Sequence, residues 1–148
     1  MIKNKFAFKE IIRKAFGSII GNSFPTNHDR DVIIAALDAS IKQGKEKVKH
    51  WTKVDWDKYH HDIDCITKEF VHALKDNLPP ESKTVQNIVK KHFALVNIFW
   101  TPTKRSYIGL GQMYKEYPDF KMFYVGYHSD LVEFLAKAMY VFADNELD

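Results

Sequence analysis

Six side chains of metal-binding type fall close together in this chain: His60, His61, Asp62, Asp64, Cys65 and His72. A helix would place His61 and Cys65, four residues apart, on one face and within reach of a single ion. His72 lies almost two turns past Cys65, too far to complete a tetrahedral site without a bend. No second pair with zinc spacing occurs elsewhere in the chain. The segment is therefore read as solvent-facing histidines beside a half-buried cysteine, and no metal is expected.

His92 is a different case, because its neighbours at helical spacing are apolar. It is read as a core-facing histidine hydrogen-bonded to a neighbour. A polar contact inside a ligand pocket comes second. A haem ligand comes a distant third, since no distal partner is evident. Nucleophilic chemistry has little support: Cys65 has no arranged partner, and no serine sits in a nucleophile elbow. Gly109-Leu110-Gly111 is not a phosphate loop, because it lacks the Gly-Lys-Ser/Thr ending and follows no strand. A glycine inside a helix costs about 1 kcal/mol relative to alanine, so Gly111 points to a place where space is needed. No catalytic set emerges, and the chain is expected not to be an enzyme.

The aromatic residues carry more information. Phe99, Trp100, Tyr107, Tyr114, Tyr117, Phe120, Phe123, Tyr124 and Tyr127 crowd into one stretch. Phe70, Phe93, Phe134 and Phe142 sit on clean stripes and read as core. Trp100, Tyr107, Tyr117, Tyr124 and Tyr127 fall at helix ends or in turns. There they bring the large apolar area and polar handle that a ligand-pocket wall needs.

Composition bounds the remaining possibilities. The chain has 148 residues, 45% of them hydrophobic, enough for one core. Its net charge of +3 is too small to imply nucleic acid by itself. The lysines between Lys42 and Lys53 read as a solvated helix face. The single cysteine rules out an intrachain disulfide and fits a cytoplasmic setting. No apolar run approaches the roughly 18–20 residues that span a bilayer, so no membrane partner is expected. The segment from Met1 to Lys14 does not read as a signal peptide.

Helical periodicity runs almost throughout, and no strand pattern appears. Phe6, Ile11, Ile12, Ala15, Phe16, Ile19 and Ile20 form a first stripe. Asp29 to Lys49 is a second helix candidate. Thr52 and Asp55 mark the start of a third, with Trp56, Tyr59, Ile63, Ile66, Phe70, Ala73 and Leu74 on one face. The segment from Asn77 to Pro80 stops it. Ser82 caps a fourth, whose stripe runs Val85, Ile88, Val89, His92, Phe93, Val96, Phe99 and Trp100. Thr103 caps a short fifth that ends near Lys115 to Tyr117. Phe120 to Tyr127 reads as a compact turn or helical turn. Ser129 caps the last helix, striped by Leu131, Phe134, Leu135, Ala138, Met139 and Phe142. The expectation is an all-α single domain over 1–148, a bundle of about six to seven helices.

In order along the chain, His92, Phe99-Trp100, Gly109-Leu110-Gly111-Gln112-Met113-Tyr114, Pro118-Asp119-Phe120, Tyr127 and Leu131-Phe134-Leu135 resemble the TipAS antibiotic-recognition domain. This is the drug-binding half of a class of MerR-type regulators, also found as standalone drug-binding proteins. Thr52-Lys53-Val54-Asp55-Trp56 resembles the family's helix start. The likeness covers about 51–142, and residues 1–45 diverge from it. The order of residues around Pro118 differs slightly from the family pattern.

The resemblance implies a globin-like fold without haem or other cofactor. It implies non-enzymatic binding, by sequestration or sensing, of bulky hydrophobic or peptidic antibiotics such as thiopeptides or albicidin-like compounds. In the family the N-terminal helices can be loosely ordered until ligand arrives, which would apply to residues 1–45. The ligand-binding residues expected here are His92, Phe99, Trp100, Tyr107, Gln112, Met113, Phe120, Tyr124 and Tyr127. Some family members capture the drug with a cysteine just after the aromatic pair. Thr101-Pro102-Thr103 stands there instead, and Cys65 does not inherit that role. No DNA-binding segment is recognised ahead of the domain, so direct DNA contact is not expected. The alternative is a helical protein-interaction module, or a regulator fragment acting through a partner protein.

Overall fold

The computed structural model describes residue 42, residues 46–99 and residues 101–147. The stripe from Phe6 to Ile20, most of the candidate helix from Asp29 to Lys49, the ordering of residues 1–45 and the placement of Trp100 lie outside the described residues. Within them the chain is all-helical. A helical turn at 46–48 precedes five helices: α1 (Lys53–Lys75), α2 (Lys83–Phe99), α3 (Lys104–Glu116), α4 (Pro118–Val125) and α5 (Leu131–Glu146). None of these is long and apolar enough to cross a membrane.

Local sequence sets the boundaries. Asp55 closes the start of α1 by accepting from the Thr52 backbone N–H at 2.9 Å, which satisfies one of the donors a helix N-terminus leaves open. α1 ends at Lys75, and Asn77 adopts a left-handed φ of 58° that reverses the chain ahead of Pro79 and Pro80. Ser82 Oγ accepts from Val85 N–H at 3.3 Å to start α2. Thr103 Oγ1 accepts from Ser106 N–H at 3.2 Å to start α3.

Two connections differ from the sequence expectation. The stretch from Phe120 to Tyr127, read as a compact turn or helical turn, falls largely in a regular eight-residue helix, α4, with Pro118 in its first turn, where a missing N–H costs nothing. The last helix is entered through Asp130 rather than Ser129. There His128 Nδ1 accepts the Asp130 N–H at 3.0 Å, so an imidazole does the work expected of a hydroxyl.

The core forms where α2, α3 and α5 meet over α1. Val85, Val89, Tyr107, Met113, Leu131, Ala138 and Met139 are sealed within it. α3 packs most extensively on α5. Gly111 allows that approach: a Cβ there would lie 3.4 Å from the Ala136 Cα and 3.6 Å from Met139 Sδ. Gln86 ties α2 to α5, donating from Nε2 to the Pro80 carbonyl at 2.7 Å and the Ala138 carbonyl at 3.2 Å.

Candidate functional site

His92 projects from the buried face of α2 between two tyrosines of α3. Its Nδ1 lies 2.7 Å from the Tyr107 hydroxyl and its Nε2 lies 3.3 Å from the Tyr114 hydroxyl. Tyr114 in turn has the Tyr124 hydroxyl of α4 as a hydrogen-bonding neighbour, their rings 4.9 Å apart. Phe70 meets the imidazole, while Phe93 and Phe142 enclose Tyr107. Burial lowers the His92 pKa to about 4, so the ring is neutral at physiological pH. Burial likewise pushes the Tyr107, Tyr114 and Tyr124 hydroxyls above the ordinary phenol range.

A neutral imidazole has one donor and one acceptor nitrogen, so this chain of groups has a direction. If Tyr107 donates to Nδ1, Nε2–H donates to Tyr114. If Nδ1–H donates to Tyr107, Nε2 accepts from Tyr114. The short Tyr107 contact and the longer Tyr114 contact fit a phenol donating at the first and an N–H at the second. The engagement of both nitrogens makes His92 a hydrogen-bonded core histidine.

A second aromatic group lies at the end of the bundle where α1 begins and α2 finishes. Trp51, Trp56, Tyr59 and Phe99 are each half-buried, and every one of these rings meets the other three. Trp51 and Trp56 are 4.8 Å apart edge-on, and Trp56 stacks on Phe99 at 6.1 Å and 25°. His60 borders the group through Trp56 and Tyr59. Although the Tyr59 ring is partly open, burial followed by the field of Tyr124 raises its pKa. Tyr59 therefore links this rim to the interior network.

Tyr127, just after α4, reaches back to α1 and donates to Asp64 Oδ1 at 2.7 Å. Burial, and then the Asp64 carboxylate, push its pKa up to about 12. Asp64 also pairs with Lys68 at 2.9 Å, and the Lys68 bond, followed by that of Tyr127, holds its carboxyl below the usual range.

The expected ligand-binding residues thus separate into two environments. His92, Tyr107, Met113, Phe120 and Tyr124 are buried, whereas Phe99, Gln112 and Tyr127 are half-buried; Trp100 lies outside the described residues. Phe120 packs against Tyr114 and Tyr117. Tyr107, His92 and Tyr124 come together through Tyr114, and Phe99 joins the rim. Sequence reasoning did not include Trp51, Trp56, Tyr59 or Tyr114 in the site. Trp56 and Tyr59 were assigned to a core stripe, and the signal that places them at a rim is their position in the first turns of α1, opposite the last turn of α2.

The metal-type cluster does not converge. Among the described residues, no three His, Cys, Asp or Glu side chains are grouped as an ion would need. His61 Nε2 lies 3.5 Å from Cys65 Sγ, Asp62 pairs with Lys58, and Cys65 is exposed rather than half-buried.

This helical arrangement, with aromatics both sealed inside and clustered at one end, defines a small all-α domain. The TipAS antibiotic-recognition domain model matches residues 33–142, and the chain belongs to that family. It is 32% identical over 105 residues to the HTH-type transcriptional regulator SkgA of two Caulobacter vibrioides strains, NA1000 / CB15N and ATCC 19089 / CIP 103742 / CB 15. That match takes in 70% of this chain and 41% of the regulator, so the chain spans about two fifths of the length of these relatives. TipAS of Streptomyces lividans, solved in complex with the thiopeptide nosiheptide, has the same fold: TM-score 0.65, 22% identity, 71% of this chain and 74% of that one.

Proposed function

We propose that this domain binds large, ring-rich antibiotics of the thiopeptide or albicidin type and holds them without chemical change. The rim of Trp51, Trp56, Tyr59 and Phe99 is the observation that carries the reading. Four mutually supporting, half-exposed rings offer flat apolar surface to a ligand that is itself built of rings. Covering that surface contributes about 25 cal/mol per Å² of apolar area. Membership of an antibiotic-recognition family and the nosiheptide complex of TipAS support the choice of ligand. The engagement of both His92 nitrogens supports binding over catalysis. The likeness to SkgA supports sensing over sequestration, with any DNA contact left to other segments.

A panel of thiopeptides and albicidin-type compounds titrated against tryptophan fluorescence tests this, since Trp51 and Trp56 lie in the proposed surface. A saturable change is expected, with the drug recovered at unchanged mass. No response across the panel from the folded protein would sink the reading. A second reading rests on the exposed Met122, Phe123 and Val125 of α4, which favour docking of a protein partner. Capture of one stoichiometric partner that α4 substitutions abolish would support it.

A further inference from the structure

The rim does not stop at its four rings. Along α1, Trp56, His60 and Asp64 recur every four residues and so share one helix face. The Trp56 and His60 rings are 6.2 Å apart, and His60 is exposed. Asp64 is half-buried, and its Oδ1 accepts from the Tyr127 hydroxyl at 2.7 Å. Tyr127 in turn meets the Phe123 ring edge-on at 5.5 Å, and Phe123 is 43% exposed on α4. α4 packs on α3 and α5, whereas α1 packs on α2 and α5. The Tyr127–Asp64 bond therefore joins two helices that do not pack extensively on each other, and it brings an open ring of α4 alongside the row on α1. The result is one strip with rings at both ends and a carboxylate between them. From Trp56 to Asp64 the helix rises about 12 Å, and Tyr127 and Phe123 carry the strip further.

We propose that this strip is the track along which the ligand lies. One ring system rests on Trp56 and His60, a second rests on Phe123 and Tyr127, and an amide N–H between them donates to Asp64. Each Asp64 oxygen already has one partner, Tyr127 on Oδ1 and Lys68 on Oδ2 at 2.9 Å, and an ionised carboxylate oxygen has room for a second donor. A ligand carboxylate at the centre would instead meet the Asp64 charge. The favoured class is thus an extended series of aromatic or azole rings linked through amides, neutral or cationic at its middle. A compact single-ring compound covers only one end. This inference rests on the antibiotic-binding reading above and gives that reading a length and a polar centre.

Fluorescence titration with nosiheptide tests it. Phe123→Ala should weaken binding about three- to tenfold, the range for one aromatic contact. Its urea denaturation should stay close to that of wild type, because the ring already faces water. Tyr127→Phe keeps the ring and removes only the bond to Asp64, and it should weaken binding about threefold. Tyr140→Ala serves as the unchanged control: Tyr140 is exposed on α5 beside Pro80 and Glu81, at the turn between α1 and α2 and away from the rim. Unaltered affinity in folded Phe123→Ala, with Trp56→Ala weakened, would overturn the strip and leave the rim standing. No nosiheptide binding by wild type would overturn the reading of the rim, and the strip with it.

Discussion

The interior network and the rim use nearly the same side chains for opposite purposes. Inside, His92, Tyr107, Tyr114 and Tyr124 spend their polar atoms on one another and their rings on Phe70, Phe93 and Phe142. At the rim, Trp51, Trp56, Tyr59 and Phe99 pack on each other yet stay partly open. Aromatic content alone therefore does not locate a binding surface. What separates the two groups is whether neighbouring helices close over the rings. α3, α4 and α5 close over the first, and nothing among the described residues closes over the second.

The sharpest way to break this comparison is to truncate one ring from the interior. Tyr107 is fully buried and fills the junction of α2, α3 and α5. Tyr107→Ala should cost about 3–5 kcal/mol of folding stability, the range for losing a buried aromatic ring. Urea denaturation measures it. A cost of about 1 kcal/mol, typical of an average substitution, would mean the interior is as open as the rim.

A somewhat smaller effect comes from acid. The folded-state pKa of His92, about 4, lies below the ordinary value of 6.5 that the unfolded chain keeps. Above pH 6.5 the ring is neutral in both states and contributes no pH dependence. As pH falls from 6.5 toward 4, the unfolded chain takes up a proton that the folded chain refuses, and stability declines. The loss should reach about 3 kcal/mol at the bottom of that window. Comparison with His92→Gln isolates the histidine from carboxylates that titrate nearby. A pH slope that survives unchanged in His92→Gln would remove His92 as its source.

Much of the fold was legible because local chemistry and periodicity agreed. Thr52, Ser82 and Thr103 each stand at the start of a helix, and the stripe through Val85, Val89 and His92 faces the core. α4 was harder, because its short sequence mixes buried Phe120 and Tyr124 with exposed Met122 and Val125, blurring any single face. The role of His92 as a bonded core histidine was readable from its apolar neighbours, but its partners were not. Tyr107 and Tyr114 are about two turns apart on α3, fifteen and twenty-two residues from His92, and only the packing of α3 on α2 brings them together. The rim was missed for the same reason. Trp56 and Tyr59 repeat with helical spacing whether or not another helix covers them, and periodicity says nothing about where a bundle ends.

The smallest expected effect on stability is the most informative about function. Trp56 is half-buried and stacks on Phe99 at the end of the bundle. Trp56→Ala should cost only about 1 kcal/mol of stability, since the lost ring already faces water on one side. The same substitution should weaken antibiotic binding about tenfold or more, because a tryptophan in a contact surface supplies large area at little entropic cost. Tyr107→Ala should behave in the opposite way, lowering stability far more than it lowers affinity per folded molecule. The pair of variants thus forms a crossed test, read by urea denaturation and by drug titration at a temperature where both remain folded. If Trp56→Ala loses stability but keeps its affinity, the rim is an exposed edge of the core rather than a recognition surface, and the division between the two aromatic regions fails.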